Sequence, residues 1–257
     1  MNGTLAFSSG MGLSWSDPYV GELLGFPAHI GVGVAMTGTF MDNVSTANLW
    51  ADMGRNIDSS VWFPSYVITS RIGGPKGVPF DFGFKIGYLP DIPLWTDLQY
   101  NMLIYGIDVN YALFLLDNTD TTITIGVGFD YFEGAVSGTL ATVPAGIVVP
   151  LGTPAHLTWE SNTYKIKALI GQPILASPVS VFGGVQAGYS ANTIGVKFGD
   201  VKTPDSEVTQ DLTLISFFGH FGLGFQMYEW NFDASVMINL AATFDLGFSI
   251  GFRYQSW

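Results

Sequence analysis

Phe80-Asp81-Phe82-Gly83-Phe84-Lys85-Ile86-Gly87-Tyr88 alternates strictly between large apolar residues and Asp, Gly or Lys. Successive side chains of an extended strand point to opposite faces, so Phe80, Phe82, Phe84, Ile86 and Tyr88 share one side. Asp81, Gly83, Lys85 and Gly87 share the other. A soluble strand buries its bulky face and turns Lys, Glu and Thr to water. Here the second face is glycine with isolated charges, which suits a strand whose bulky side meets lipid and whose small side lines a narrow interior.

The same pattern recurs in both directions. Leu103, Tyr105, Ile107, Val109, Tyr111 and Leu113 oppose Gly106, Asp108, Asn110 and Ala112. Ile123, Ile125, Val127, Phe129 and Tyr131 oppose Thr124, Gly126, Gly128 and Asp130. Runs of this kind lie near 28–40, 65–73, 78–89, 99–114, 121–132, 156–170, 178–190, 212–228, 231–240 and 243–255. Alternation alone also fits a soluble sandwich or a lipocalin-like barrel; the glycine-rich second face favours the transmembrane form. The expectation is an all-β chain, an antiparallel up-and-down transmembrane barrel of about ten strands, with eight or twelve as alternatives.

Composition agrees. Of 257 residues, 48% are hydrophobic and 12% charged, about half the charge of an ordinary soluble domain. No run approaches the roughly 20 apolar residues that a spanning helix needs, and helices and closed barrels are the structures that satisfy every backbone group in lipid. Nine Lys and Arg against 21 Asp and Glu exclude a phosphate-binding face, so no nucleic acid is expected. Without cysteine there is no disulfide, thiolate nucleophile or Cys-ligated metal. Met1-Asn2-Gly3 carries no basic residue and precedes no apolar leader, which reads as a mature secreted chain.

Several segments read differently. Asp17-Pro18 through Gly25 has an N-cap, a proline at the first helical position and a closing glycine, giving a short N-terminal helical segment. Ser45–Gly54 reads as a second short helix in the first long loop. Long connections are expected over 133–155 and 191–211, the latter holding Asp200, Asp205, Glu207 and Asp211. Within 156–170 the bulky residues change parity, from Leu157 and Trp159 to Tyr164, Ile166 and Ala168, as a bulge or turn would cause.

Placing the non-aromatic face inside collects charge there. The expected lumen residues are Arg71, Lys85, Lys165, Lys167 and Arg253 against Asp81, Asp108, Asp130, Asp233 and Asp245, with His220 beside them. Equal numbers of each sign suggest pairs that brace the lumen, since an unpaired buried charge is costly; a selectivity ring is the alternative. The remaining acids then fall on loops and turns. The interior glycines leave room for residues 1–26, a separate segment from the barrel over 27–257. Its apolar Leu13, Trp15, Tyr19, Leu23 and Leu24 read as a plug, unless the glycines ease strand curvature instead.

Catalytic and metal motifs are weak. Gly247-Phe248-Ser249-Ile250-Gly251 matches a nucleophile elbow, but it sits inside an alternating strand rather than at a strand-to-helix turn. His29, His156 and His220 are isolated, without metal-ligand spacing. No enzyme activity, metal or cofactor is expected.

The last run, Phe244 to Tyr254 followed by Gln255-Ser256-Trp257, resembles the C-terminal strand of bacterial outer-membrane barrels. That resemblance implies an outer-membrane location, a lipid-bilayer environment and recognition by the outer-membrane assembly machinery. Trp257 is out of phase with Phe252 and Tyr254, which makes Tyr254 the matching terminal aromatic. In size the chain is similar to small barrels of the OmpW type, whose lumen opens sideways for apolar solutes. An apolar residue 1–26 segment resembles the N-terminal hatch of the longer FadL-type transporters. Together these imply a passive channel for small apolar or amphipathic solutes. A closed structural or surface-interaction barrel with acidic loops is the alternative.

Overall fold

In a computed structural model, the described residues are 30–41, 61–73, 80–95, 98–114, 121–140, 149–174, 177–200, 204–240 and 246–255. They form β1 (Ile30–Met41), β2 (Val61–Gly73), β3 (Phe80–Trp95), β4 (Leu98–Phe114), β5 (Thr122–Thr139), β6 (Pro154–Pro173), β7 (Val179–Gly199), β8 (Pro204–Met227), β9 (Trp230–Asn239) and β10 (Leu246–Gln255). Each strand pairs antiparallel with its chain neighbour, and β1 pairs with β10 to close the barrel. The expected helices at 17–25 and 45–54, and the segment 1–26, lie outside the described residues.

The wall is uneven. β9 and β10 have 10 residues each, whereas β7 has 21 and β8 has 24. One end of the barrel, called lower here, carries the start of β1 and the end of β10. The tall part of the wall rises at the opposite, upper end. Two ladders stop short there. β2 and β3 pair from Gly73↔Asp81 to Ile68↔Ile86, and β8 and β9 pair only up to Phe218↔Asn239.

Below a row of tyrosines the outer surface is apolar. Phe82, Phe84, Ile107, Ile125, Val127, Ile166, Ile170, Phe221, Leu223 and Ile250 are all exposed. Tyr88, Tyr105, Tyr131, Tyr164 and Tyr189 lie along its upper margin on β3 to β7, and Tyr105 stacks on Tyr131 with ring centroids 4.7 Å apart. Amphipathic rings collect where hydrocarbon gives way to headgroups. Above them the outer face turns polar, with Asp91, Asn101, Glu133, Glu160, Thr193, Glu207 and Thr209 lining one shallow concavity.

The inside changes in the opposite sense, and this corrects the expected bulge in 156–170. β6 pairs without a register shift over Pro154–Gly171 against β5 and over Ala155–Pro173 against β7. Leu157 and Trp159 point inward and Tyr164 and Ile166 outward because the apolar face itself changes sides at the tyrosine row. Two other expectations are corrected for the same reason. The connection 191–211 is the upper part of β7 and β8 with a four-residue gap at 200–203 between them, and 133–155 shrinks to the residues between Thr139 and Pro154. Their outward residues are polar, so they read as loop while folding as strand. Acids expected on loops, among them Glu207 and Asp211, therefore stand on strands.

Candidate functional site

The register explains how a glycine-rich interior is filled. One row around the wall runs Arg71↔Gly83↔Asp108↔Gly128↔Lys165↔Gly188. A second runs Lys85↔Gly106↔Asp130↔Thr163↔Ser190, and a third Asp81↔Asn110↔Gly126↔Lys167↔Gln186. In the first row charged side chains alternate strictly with glycine, and in the other two a single glycine, Gly106 or Gly126, separates charged or polar neighbours that lie down over its bare backbone. A Cβ on Gly83 would overlap Asp108 Oδ1, and one on Gly106 would overlap Asp130 Oδ1. At Gly126 it would meet Lys167 Cε at 2.6 Å. These glycines seat the neighbouring strand's charges.

The charges form two linked groups. Arg71 Nη1 donates to Asp81 Oδ2 at 2.7 Å, and Arg71 Nη2 reaches Asp108 Oδ2 at 3.4 Å. Asp108 Oδ2 also accepts from Lys167 Nζ at 2.9 Å and from Asn110 Nδ2 at 2.7 Å. Asn110 Nδ2 bridges to Asp81 Oδ1 at 2.6 Å. In the other group Asp130 is held between Lys85, 3.2 Å away, and Lys165, which donates to its Oδ2. All seven ionised side chains are buried. Buried charge persists when it is paired and its remaining lone pairs are satisfied, and loss of one partner costs about 3–5 kcal/mol.

Among the other sequence candidates, His220 and Arg253 are buried and Asp233 is half-buried, on the β8–β10 side of the interior. Asp245 and the plug candidates Leu13, Trp15, Tyr19, Leu23 and Leu24 lie outside the described residues. Ser249 is a buried strand residue within β10, as its alternation indicates. His156 is less isolated than its sequence neighbours suggest. β5–β6 pairing sets it opposite Ser137, whose Oγ lies 2.8 Å from its Nδ1, on the outer face.

Above the charged rows lies a layer missing from the sequence candidates. Leu89, Leu98, Tyr100, Met102, Ile104, Phe132, Val136, Leu157, Trp159 and Phe198 form one buried apolar cluster. Trp159 stacks between Tyr100 and Phe132, with centroid separations of 6.2 and 6.3 Å, and is 3% exposed. Gly134 gives it room, since a Cβ there would meet the indole at 2.7 Å. The signal was present in β4, where Leu98, Tyr100, Met102 and Ile104 keep the parity of Gly106 and Asp108. Bulk on the lumen parity marks the height at which the interior becomes dry.

No protein-family model matches the chain, and no curated protein matches it. Among solved structures, the translocator domain of the autotransporter NalP from Neisseria meningitidis aligns with a TM-score of 0.50 and 10% identity, covering 98% of this chain and 97% of that one. A major outer membrane protein from Thermus thermophilus aligns at 0.40 with 11% identity, over 90% and 100% of the two chains. Ail of Yersinia pestis aligns at 0.36 with 13% identity, over 89% and 97%. The NalP alignment carries the fold: this chain has the architecture of a bacterial outer-membrane β-barrel, and its apolar belt is the surface such a barrel turns to the bilayer.

Proposed function

We propose that the chain is an outer-membrane barrel with a closed lumen that holds a rigid, polar-faced sheet outside the membrane for contact with a partner. The observation that carries this reading is the stacking of two buried layers within one barrel. Paired charges brace the membrane half, and the apolar cluster around Trp159 lies above them. An aqueous pathway for solutes would run past both layers, and the described side chains there are withdrawn from water.

Orientation follows from the connections. The two longest gaps between strands, 42–60 and 140–153, and the tall wall share the upper end. Outer-membrane barrels keep short turns on the periplasmic side and long loops outside. The upper sheet then faces the exterior, and β10 supplies the C-terminal strand for the assembly machinery.

Planar-bilayer recording is the test. A closed barrel gives no steady unitary conductance, whereas a persistent open level for the unaltered protein would restore the solute-channel reading.

A further inference from the structure

Among the described residues the upper sheet ends in two unpaired edges of different character. The β2–β3 ladder ends at Ile68↔Ile86, Gly87 still lies against Tyr66 and Val67, and above them Val61–Ser65 and Tyr88–Trp95 have no cross-strand partner on their facing sides among the described residues. These edges are blunted. Pro64 stands in one, Pro90 and Pro93 in the other, and β3 carries register shifts between Leu89 and Ile92 and between Pro93 and Trp95. Prolines and bulges are the usual protection of an exposed edge against adding another strand. On the opposite flank Leu240 N still donates to the Phe217 carbonyl at 2.7 Å, and beyond it β8 runs from Pro204 to Ser216 with no partner on that side among the described residues. Apart from Pro204 at its start, this edge has no proline, and its pairing with β7 is regular from Ser206 onward. About half of its backbone amides and carbonyls point away from β7.

The two faces flanking this edge specify what would fit. Outward stand Glu207, whose Oε1 lies 3.3 Å from Lys197 Nζ, and Asp211, which accepts from Thr193 Oγ1 at 2.7 Å; the face also carries Asp91, Glu133 and Glu160, four acids in that concavity with Glu207 against the single cation Lys197 among its described residues. Inward stand Val208, Leu212 and Leu214, with Gln210 between them. Val208 lies opposite Val196, which packs on the apolar cluster, yet Val208 is 56% exposed. Apart from Gln210, the apolar lining therefore runs out to the edge and stops there uncovered among the described residues. An added strand with apolar side chains inward and basic ones outward would extend the lining and neutralise the acids at once.

We propose that the edge of β8 over Asp205–Ser216, unpaired among the described residues, is a strand-addition site for an extended segment of a partner protein that alternates basic and apolar residues. Backbone hydrogen bonds would supply affinity and the two faces register, as in other cases of recognition by strand addition. A second copy of this chain is a poorer fit, because its edge would bring more carboxylates against Glu207 and Asp211. The proposal rests on the display reading above, but conductance tests that reading and the following experiment tests this one.

The probe is a fluorescein-labelled peptide of alternating lysine and valine, titrated by anisotropy against the full chain in detergent micelles. Saturable binding is expected. Methylating alternate backbone nitrogens of the peptide should weaken it at least tenfold without touching the protein. The pair Glu207→Lys with Asp211→Lys should weaken it similarly, while Asp91→Lys, away from the edge, should leave it unchanged. No binding, equal binding of the methylated peptide, or an equal loss with Asp91→Lys would overturn the proposal; the last two would mean adsorption to an acidic face. Edge-to-edge self-association in sedimentation, abolished by the Glu207→Lys and Asp211→Lys pair, would also overturn it.

Discussion

Trp159 points into the barrel and Tyr164 out of it, although they stand on one strand whose register is unbroken from end to end. The apolar face of β6 passes through the wall between them. Below, hydrocarbon is the solvent, so bulk faces out and charges face in. Above, water is the solvent and the arrangement is that of an ordinary soluble sheet.

The height of that crossing can be measured. An arginine on the lipid face costs about 2–4 kcal/mol at mid-membrane and about 0–1 near the interface. Val127→Arg, four residues below Tyr131 on β5, should fall in the first range, and Glu160→Arg, above the tyrosine row, in the second. Equilibrium unfolding in lipid vesicles reads the difference; equal costs would place both residues in one environment.

Asp130 holds two lysines, so its removal leaves two buried ammonium groups without their carboxylate. Asp130→Ala should destabilise the barrel by about 3–5 kcal/mol. Replacing Lys85, Asp130 and Lys165 together by Met, Leu and Met should cost much less, because no charge is stranded. Urea titration of all variants in one detergent separates a charge brace from simple packing.

Trp159→Ala empties the centre of the apolar layer. Loss of a buried tryptophan of this kind costs about 3–5 kcal/mol. Bilayer recordings on the same variant should show brief openings or raised current noise if the layer is the dry seal, with the charged rows still in place.

Among the glycines, backbone neighbours decide severity. A Cβ at Gly184 would overlap the Ala168 carbonyl oxygen and meet Leu169 Cα at 2.8 Å, both main-chain atoms. At Gly188 the nearest atom is Ser216 Oγ at 3.1 Å, which can rotate away. Gly184→Ala should therefore lower the thermal midpoint clearly, and Gly188→Ala by much less. Comparable midpoints would mean that β6 and β7 can shift apart there.

Much of this is legible in the sequence where solvent chemistry stays constant along a strand. The runs around Phe84, Ile107, Val127 and Phe248 name their strands because one face stays bulky and the other small. Reading fails where the solvent changes. Leu157 and Trp159 look like a break in β6, and the polar outward residues of 204–211 look like loop, since a strand leaving the bilayer reverses the sense of its pattern without ceasing to be a strand. The charges at Asp108 and Lys167 are visible by parity, but their partners are not, because cross-strand register is a property of the closed wall. The glycines likewise are visible in number, while their role as seats for neighbouring side chains depends on which residue the register sets beside each.

The stepped rim also bears on how the circle is closed. β7 and β8 pair over Val179–Gly199 across a gap of four residues, a local and extensive zipper. Closure joins Gly31–Thr39 to Gly247–Gln255, nearly the whole described chain apart, through a much shorter ladder. The entropy of bringing distant ends together grows with the logarithm of their separation, so the long hairpin can form early and serve as a template. The seam between first and last strands is left as the final join, whereas the shortest ladder, Ile68–Gly73 against Asp81–Ile86, is the place where the ring would open first under load.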